Sequence, residues 1–251
     1  MRTTDADDAV STVIALMLIL AIVATCMAIY SATYVPGLKQ QAEITHSEEV
    51  KFAFERFSAD VDNLYSLGKA ARFSEPLPLG GGDVLLSPVR SSGTVEVGRP
   101  VSVGDLYING TWHSSVDRVG VVYTPSYSSW DLQGYSWENG LVWVTKGEKK
   151  TPASLSLYTV SEGKMRESEI LAESFVRMSE NFVVVSMYPE TKSSITGTGI
   201  AKLRLNATES EPIQIPAGGS VKIVDSSGRE YPFPAAGGDT LRRVLVGVSV
   251  E

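Results

Sequence analysis

Cysteine and histidine are scarce in this sequence, which has one cysteine and two histidines among its 251 residues. The single cysteine, Cys26, excludes an internal disulfide, and an extracellular domain without disulfides fits a prokaryotic surface better than a eukaryotic secreted protein. The histidines, His46 and His113, are far apart in sequence and have no cysteine partner. We therefore expect no zinc site and no other cofactor, with His46 solvated.

Motifs that carry catalysis are missing as well. The triple glycine Gly80-Gly81-Gly82 leads into an apolar, strand-like run and not into a helix with a lysine, so it does not predict a phosphate loop. The sequence has no nucleophile elbow and no H-E-x-x-H motif. We expect that the protein is not an enzyme. Its net charge of −7 argues against nucleic acid as a partner.

One long stretch lacks charge altogether, since Ala9 to Leu38 contains no acidic or basic side chain. A bilayer core about 30 Å thick requires roughly 20 apolar residues in a helix, and Val10 to Val35 supplies that length. A buried core helix rarely runs so far without a polar face, and a secretory signal has a shorter apolar core. We predict a single membrane helix over residues 9–37.

The chemistry of this run suits lipid. Its threonines and serines can bond back to carbonyls of their own helix. Four alanines recur at three- and four-residue spacing and predict a smooth stripe, here called the alanine stripe, where a second helix could pack: Ala21, Ala24, Ala28 and Ala32. Such helices are also rich in alanine without packing, so both interpretations stay open. We interpret Cys26 as a small apolar filler.

The start of this run resembles a known family. Asp7 to Ile14 reads D-D-A-V-S-T-V-I and precedes a Leu/Ile/Ala-rich segment, which looks like the N-terminal domain of archaeal type IV pilins. The resemblance implies that residues 1–8 are a leader that a prepilin peptidase removes between Asp8 and Ala9. It also implies that the apolar helix packs with other pilin-like subunits in a filament.

An amphipathic segment follows the apolar run. Pro36-Gly37 predicts a kink or short break where the helix leaves the membrane. Helical spacing of apolar residues then resumes and predicts a stalk over residues 38–75, which packs one face on the remaining domain. We place the end of the helix within residues 71–73, because Pro76 and Pro78 cannot continue it.

The rest of the chain, residues 76–251, has the short β-branched and aromatic runs typical of strands. The predicted strands are 84–86, 94–97, 101–108, 116–123, 141–145, 155–160, 181–188, 200–205, 220–224 and 241–250. Asn139-Gly140 predicts a hairpin turn, Asp225 to Gly228 predicts another, and Glu167 to Met178 is either a short helix or a strand. The fold class is α+β, with a β-rich antiparallel, sandwich-like head of two sheets.

Two features of the head suggest surface roles. Tyr127 and Trp130 belong to an aromatic-rich stretch and are flanked by serines, so we predict that they are exposed and recognise carbohydrate or a neighbouring subunit. Core packing is the more common role of such aromatics. Asn109-Gly110-Thr111 and Asn206-Ala207-Thr208 match the N-glycosylation pattern, although Asn109 is equally well explained as a turn residue.

The sequence therefore predicts a single-pass protein of the cell membrane whose C-terminal head lies outside the cell. Lysine and arginine counts beside the span lean weakly towards a cytoplasmic head, but they are too small to outweigh the resemblance and the composition of the head. The predicted function is that of a minor pilin or pilin-like structural subunit. The alternative is a tethered binding module that does not polymerise and contacts an envelope layer, a motor or surface carbohydrate.

Overall fold

The computed structural model describes residues 4–81, 84, 90–128, 133–153, 175–178, 181–191, 193–233 and 239–251. It confirms the α+β class, with one long apolar N-terminal helix followed by a β-rich head. The predicted strand 155–160 and most of the predicted strand 84–86 lie outside the described residues. So does most of Glu167 to Met178, of which residues 175–178 form a strand.

The N-terminal helix is continuous through the predicted break. Helix α1 spans Thr4–Ile29, a π-helical turn spans Tyr30–Tyr34, and helix α2 spans Val35–Leu67. In the widened turn the N–H of Val35 bonds to the carbonyl of Tyr30, five residues back. Pro36, which lacks an N–H, stands at the start of α2. The expectation of a break was therefore wrong, and a π turn directly before Pro36 accommodates the ring that lacks a donor.

Helix α2 also ends earlier than predicted. Gly68 has a left-handed φ of 56° and donates its N–H to the Leu64 carbonyl at 3.0 Å, which terminates the helix. The next element is strand β1, Ala71–Pro78, an edge strand paired with the strand Ile200–Glu209. Its two prolines fit an edge position, where one side of the strand needs no ladder donor. The predicted stalk boundary at residue 75 therefore falls inside the first strand of the head.

Sixteen strands occur within the described residues. After β1 they are β2 Ser92–Val97, β3 Val101–Ile108, β4 Thr111–Arg118, β5 Val121–Ser126, β6 Gln133–Glu138, β7 Leu141–Lys146, β8 Lys149–Pro152, β9 Phe175–Met178, β10 Asn181–Pro189, β11 Ser194–Gly197, β12 Ile200–Glu209, β13 Ile213–Gln214, β14 Val221–Asp225, β15 Glu230–Phe233 and β16 Thr240–Val250. The single strand predicted over 116–123 is divided between β4 and β5.

These strands form three sheets and not the two that we predicted. The first has the order β1-β12-β16-β10-β9 with β13 beside β16, the second β11-β2-β5-β6-β7-β8, and the third β15-β14-β3-β4. The pairing is antiparallel except between β10 and β16, which are parallel. A parallel pair needs a long crossover connection, which is commonly helical, but the described part of this one runs through strands β11 to β15.

Tight turns agree with the sequence. Asn139 and Gly140 have φ values of 51° and 80° between β6 and β7, as a type I′ turn requires, which confirms the predicted hairpin. Asn109 and Gly110 have nearly the same values, 52° and 78°, between β3 and β4. The predicted turn from Asp225 to Gly228 joins β14 to β15, and Gly228 has a φ of 82°.

Helix α2 packs one face on the sheets of the head, as the amphipathic pattern predicts. Its face towards the sheets contributes six of the most deeply buried side chains: Val50, Ala53, Phe54, Phe57, Val61 and Leu64. These pack with residues of the first and second sheets in one core. A second core joins the third sheet to β7, β10 and β16 and contains Leu106, Trp143, Phe182 and Ile223. The head therefore begins with α2.

Candidate functional site

The structure contains one helix, among the described residues, that is long and apolar enough to cross a membrane. Its apolar portion has a mean hydropathy of 2.8 and is not buried against any part of the head. Ile22, for example, is 62% exposed. At 1.5 Å per residue, Thr12 to Tyr34 extends about 35 Å, which matches a bilayer core. The length and composition of this helix fit membrane association.

Two hydroxyl groups inside this segment are satisfied by the helix itself. Thr25 donates to the Ala21 carbonyl and Thr33 donates to the Ile29 carbonyl, each at 2.7 Å. Both bonds confirm the prediction that these side chains bond back to their own helix, which lowers the cost of placing them in hydrocarbon. Tyr30 and Tyr34, with ring centroids 5.5 Å apart, mark the end of the segment nearer the head, where aromatic side chains suit the membrane interface.

The alanine stripe and Cys26 lie on opposite sides of this helix. Ala21, Ala24 and Ala28 are in α1 and Ala32 is in the π turn, all four exposed. At about 100° per residue, Cys26 is rotated roughly 150° from the centre of the stripe. A groove lined by Cys26, Ile29 and Thr33 marks that other side. The predicted cleavage position between Asp8 and Ala9 lies within helix α1, which begins at Thr4.

Where α2 enters the head, one face of the helix is polar and buried. We call this set the polar joint: Lys39, Glu43, His46 and Ser47. The spacing of three to four residues places these side chains in one row, which continues into the apolar row that begins at Val50. The head therefore contacts α2 through hydrogen bonds near Lys39 and Glu43, and through apolar packing from Val50 onwards.

Glu43 is the centre of the polar joint and is fully buried. Its Oε1 accepts hydrogen bonds from Ser91 Oγ at 2.6 Å, from the Ser128 N–H at 2.8 Å and from Ser128 Oγ at 3.2 Å. Lys39 Nζ, also buried, donates to Ser128 Oγ at 2.6 Å. A buried carboxylate needs several donors to offset its lost hydration, and two separate loops supply them here.

His46 is 3% exposed, which corrects our expectation of a solvated side chain. Its Nε2 lies 3.1 Å from the Pro78 carbonyl and its Nδ1 lies 2.9 Å from the Tyr127 hydroxyl. Since a carbonyl only accepts, Nε2 carries the proton and Nδ1 accepts from Tyr127. Burial lowers the pKa of His46, so the neutral imidazole is favoured, and burial raises the pKa of the Tyr127 hydroxyl to about 12.

The aromatic residues of the predicted recognition patch have other positions. Tyr127 is half-buried, with its ring edge-on to His46, so it packs against the polar joint and is not part of an exposed patch. Trp130 lies outside the described residues. Two aromatic side chains on the described strands are exposed, Tyr188 at 39% in β10 and Trp112 at 57% near the start of β4. Trp112 donates its Nε1–H to Asp105 at 3.1 Å. Trp112 lies between the predicted strands 101–108 and 116–123, and a single tryptophan outside a predicted strand carries no signal of exposure.

The two candidate glycosylation sites differ in environment. Asn109 is exposed at the tip of the β3–β4 hairpin. Asn206 is half-buried in the middle of β12, opposite Arg72 of β1 and Gly247 of β16. It lines a groove of about 430 Å³ on the first sheet, beside the ion pair between Arg204 and Glu251 at 2.9 Å.

Within the ranges that the structure describes, no three His, Cys, Asp or Glu side chains are grouped closely enough to hold a metal ion. Comparison of the chain with protein-family models, curated proteins and solved structures finds no match.

Proposed function

We propose that the protein is a structural subunit of the archaeal type IV pilin-like class, anchored in the cell membrane with its head outside the cell. In this proposal a prepilin peptidase removes residues 1–8 before Ala9, and the exposed helix then packs with other pilin-like subunits. The observation that supports the proposal is that one continuous helix has two different environments. Its N-terminal part is unburied and apolar, and its C-terminal part contributes side chains to the core of a folded head.

This division supports assembly because the unburied part has every side free for neighbours. A helix that served only the head would bury a face along its whole length. The alanine stripe adds a surface on which a second helix can approach closely, and close van der Waals contact drives helix pairing where no hydrophobic effect operates.

A second candidate is a tethered binding module that never polymerises. The observation that favours it is the exposed Trp112 on the third sheet, since a large exposed aromatic side chain is a common anchor of recognition surfaces. In that case the membrane helix serves as a solitary anchor. The head then contacts an envelope layer, a motor or surface carbohydrate.

The first experiment determines the N-terminus. The full chain is produced in cells with an active prepilin peptidase and, as the control, in cells with a catalytically dead peptidase, and intact masses are compared. The proposal predicts loss of residues 1–8 with the active enzyme alone. An intact Met1 in both strains would exclude the pilin pathway and favour the tethered module.

The second experiment measures self-association of the full chain in lipid vesicles by energy transfer between labelled copies. The double variant Ala24→Leu, Ala28→Leu enlarges the alanine stripe, so association should fall while membrane insertion is unchanged. The matched control Ile19→Leu, Val23→Leu alters the opposite side of the helix and should associate like the unmodified chain. Equal association in both variants would contradict packing through the stripe.

A further inference from the structure

The sequon Asn109-Gly110-Thr111 occupies the tip of the β3–β4 hairpin. Asn109 and Gly110 form its type I′ turn, and both Asn109 and Thr111 are exposed. A type I′ turn projects beyond the strands that it joins, so an acceptor at its tip can be reached without unfolding the head.

The side-chain amide of Asn109 has a fixed orientation. The backbone N–H of Ser220 donates to Asn109 Oδ1 at 2.8 Å, and the backbone N–H of Asn109 donates to the Ser220 carbonyl at 2.8 Å. Because a backbone N–H can only donate, the amide oxygen must face Ser220 and Nδ2 must face away from it. No residue of the described ranges accepts a hydrogen bond from Nδ2. The nitrogen that would carry a glycan is the one left free.

Asn206 has the opposite environment. Its Nδ2 donates to Glu190 Oε1 at 3.4 Å, and its Oδ1 accepts from Arg72 Nε at 3.1 Å. Strand β12 is paired on both sides, and Ala207 in the same sequon is 3% exposed. A glycan on Asn206 Nδ2 would disrupt the bond to Glu190 and would have to fit into the groove that Asn206 lines.

An exposed aromatic lies beside the Asn109 sequon. Trp112 follows three residues later and stands opposite Tyr107 in the β3–β4 pairing. Its indole N–H is engaged by Asp105 and its side chain is 57% exposed, so an apolar ring surface faces solvent. Such a surface suits the C–H face of a pyranose, which can cover apolar area while its hydroxyls stay hydrated.

We propose that Asn109 is N-glycosylated and that the attached glycan covers Trp112, while Asn206 stays unmodified. The donor is a lipid-linked oligosaccharide. A bond forms between its anomeric carbon and Asn109 Nδ2, and the bond from that carbon to the lipid phosphate breaks. The phosphate leaves with the electron pair, and the amide loses one proton to the medium. The inference rests on the proposed function in one respect, since the head must face the side of the membrane where such transfer occurs.

The test uses the full chain, produced in cells that transfer lipid-linked oligosaccharides to Asn-x-Thr outside the cytoplasm, and glycopeptide mass spectrometry. We expect a glycan mass on Asn109 and none on Asn206. Thr111→Val keeps the β-branched shape and the Asn109 turn but removes the hydroxyl that the sequon requires, so the added mass should be lost. Thr111→Ser should retain it. Modification of Asn206, or an unmodified Asn109, would overturn the inference.

A control separates this outcome from failure of the outward orientation. The double variant Gly147→Asn, Lys149→Thr adds a sequon at the exposed β7–β8 turn, where a φ of 60° is tolerated by asparagine. If this new site is modified and Asn109 is not, the inference is wrong and the orientation stands. If neither is modified, the inference and the orientation both fail.

Coverage of Trp112 is measured by oxidative footprinting of the same samples. Trp112 should be oxidised less in the glycosylated chain than in the Thr111→Val variant. Trp137 is fully buried and serves as the internal reference. Equal oxidation of Trp112 in both samples would overturn the proposed contact between glycan and indole.

Discussion

Replacing Phe57 by alanine tests whether α2 is part of the head's core. Phe57 is 1% exposed and its ring meets Trp137 edge-to-face with centroids 5.4 Å apart. Removing a fully buried phenylalanine costs about 3–5 kcal/mol through lost burial and the cavity left behind. Domains of this kind are stable by about 5–15 kcal/mol, so the variant should lose a large fraction of its free energy of unfolding.

The matched control is Phe52→Ala, which makes the same chemical change on the same helix. Phe52 is 54% exposed, so this variant should change the free energy of unfolding by no more than about 0.5 kcal/mol. Urea unfolding of a fragment that begins at Val35, followed by tryptophan fluorescence, gives both values. Equal stabilities of the two variants would refute a core role for α2, and so would cooperative folding of a fragment that begins after Leu67.

Three further predictions concern single positions. Gly140→Val should destabilise the head by more than about 1 kcal/mol, because a β-branched residue disfavours the φ of 80° in that turn. The control Gly199→Val has open space around it and no left-handed φ, so it should have little effect on the midpoint of thermal unfolding. Burial lowers the pKa of His46 from 6.5. The unfolded chain therefore binds a proton first as the pH falls through about 6.5, and the head should lose stability from there down to the lowered pKa. His46→Gln should flatten that part of the stability profile, and an unchanged profile would contradict a buried neutral imidazole. When two copies pair through the alanine stripe, their Cys26 thiols lie on the far sides of the two helices and should not form a disulfide on oxidation. Efficient Cys26 cross-linking between copies would indicate a different interface.

Local signals account for the parts of the fold that the sequence predicted well. The membrane helix follows from an unbroken apolar run, and the Asn139-Gly140 hairpin follows from two residues that tolerate positive φ. The end of α2 was misplaced because the prolines at 76 and 78 looked like the stop signal. Gly68 is the real stop, and a single glycine inside a helical pattern is a weaker signal than a proline.

The polar joint could not be predicted, because its partners come from distant parts of the chain. His46 was interpreted as a solvated residue, as polar residues on amphipathic helices usually are, and Glu43 has no local signal that marks it as buried. Their burial depends on donors near residues 91 and 128 and on the hydroxyl of Tyr127. The available hint was the spacing, since these residues continue the buried row that starts at Val50.

The place where burial begins has a mechanical consequence. Tyr34 is 59% exposed, and the next residue, Val35, is already buried in the head. The apolar helix continues into the folded domain without a linker, and Lys39 and Glu43 hydrogen-bond the helix to Ser128 and Ser91. With this arrangement kept, each residue of register shift between packed helices would rotate the head by about 100° about the helix axis. Neighbouring copies packed through the same helix face must therefore all present the same side of the head, and Trp112 would recur at a constant angle along any array they build.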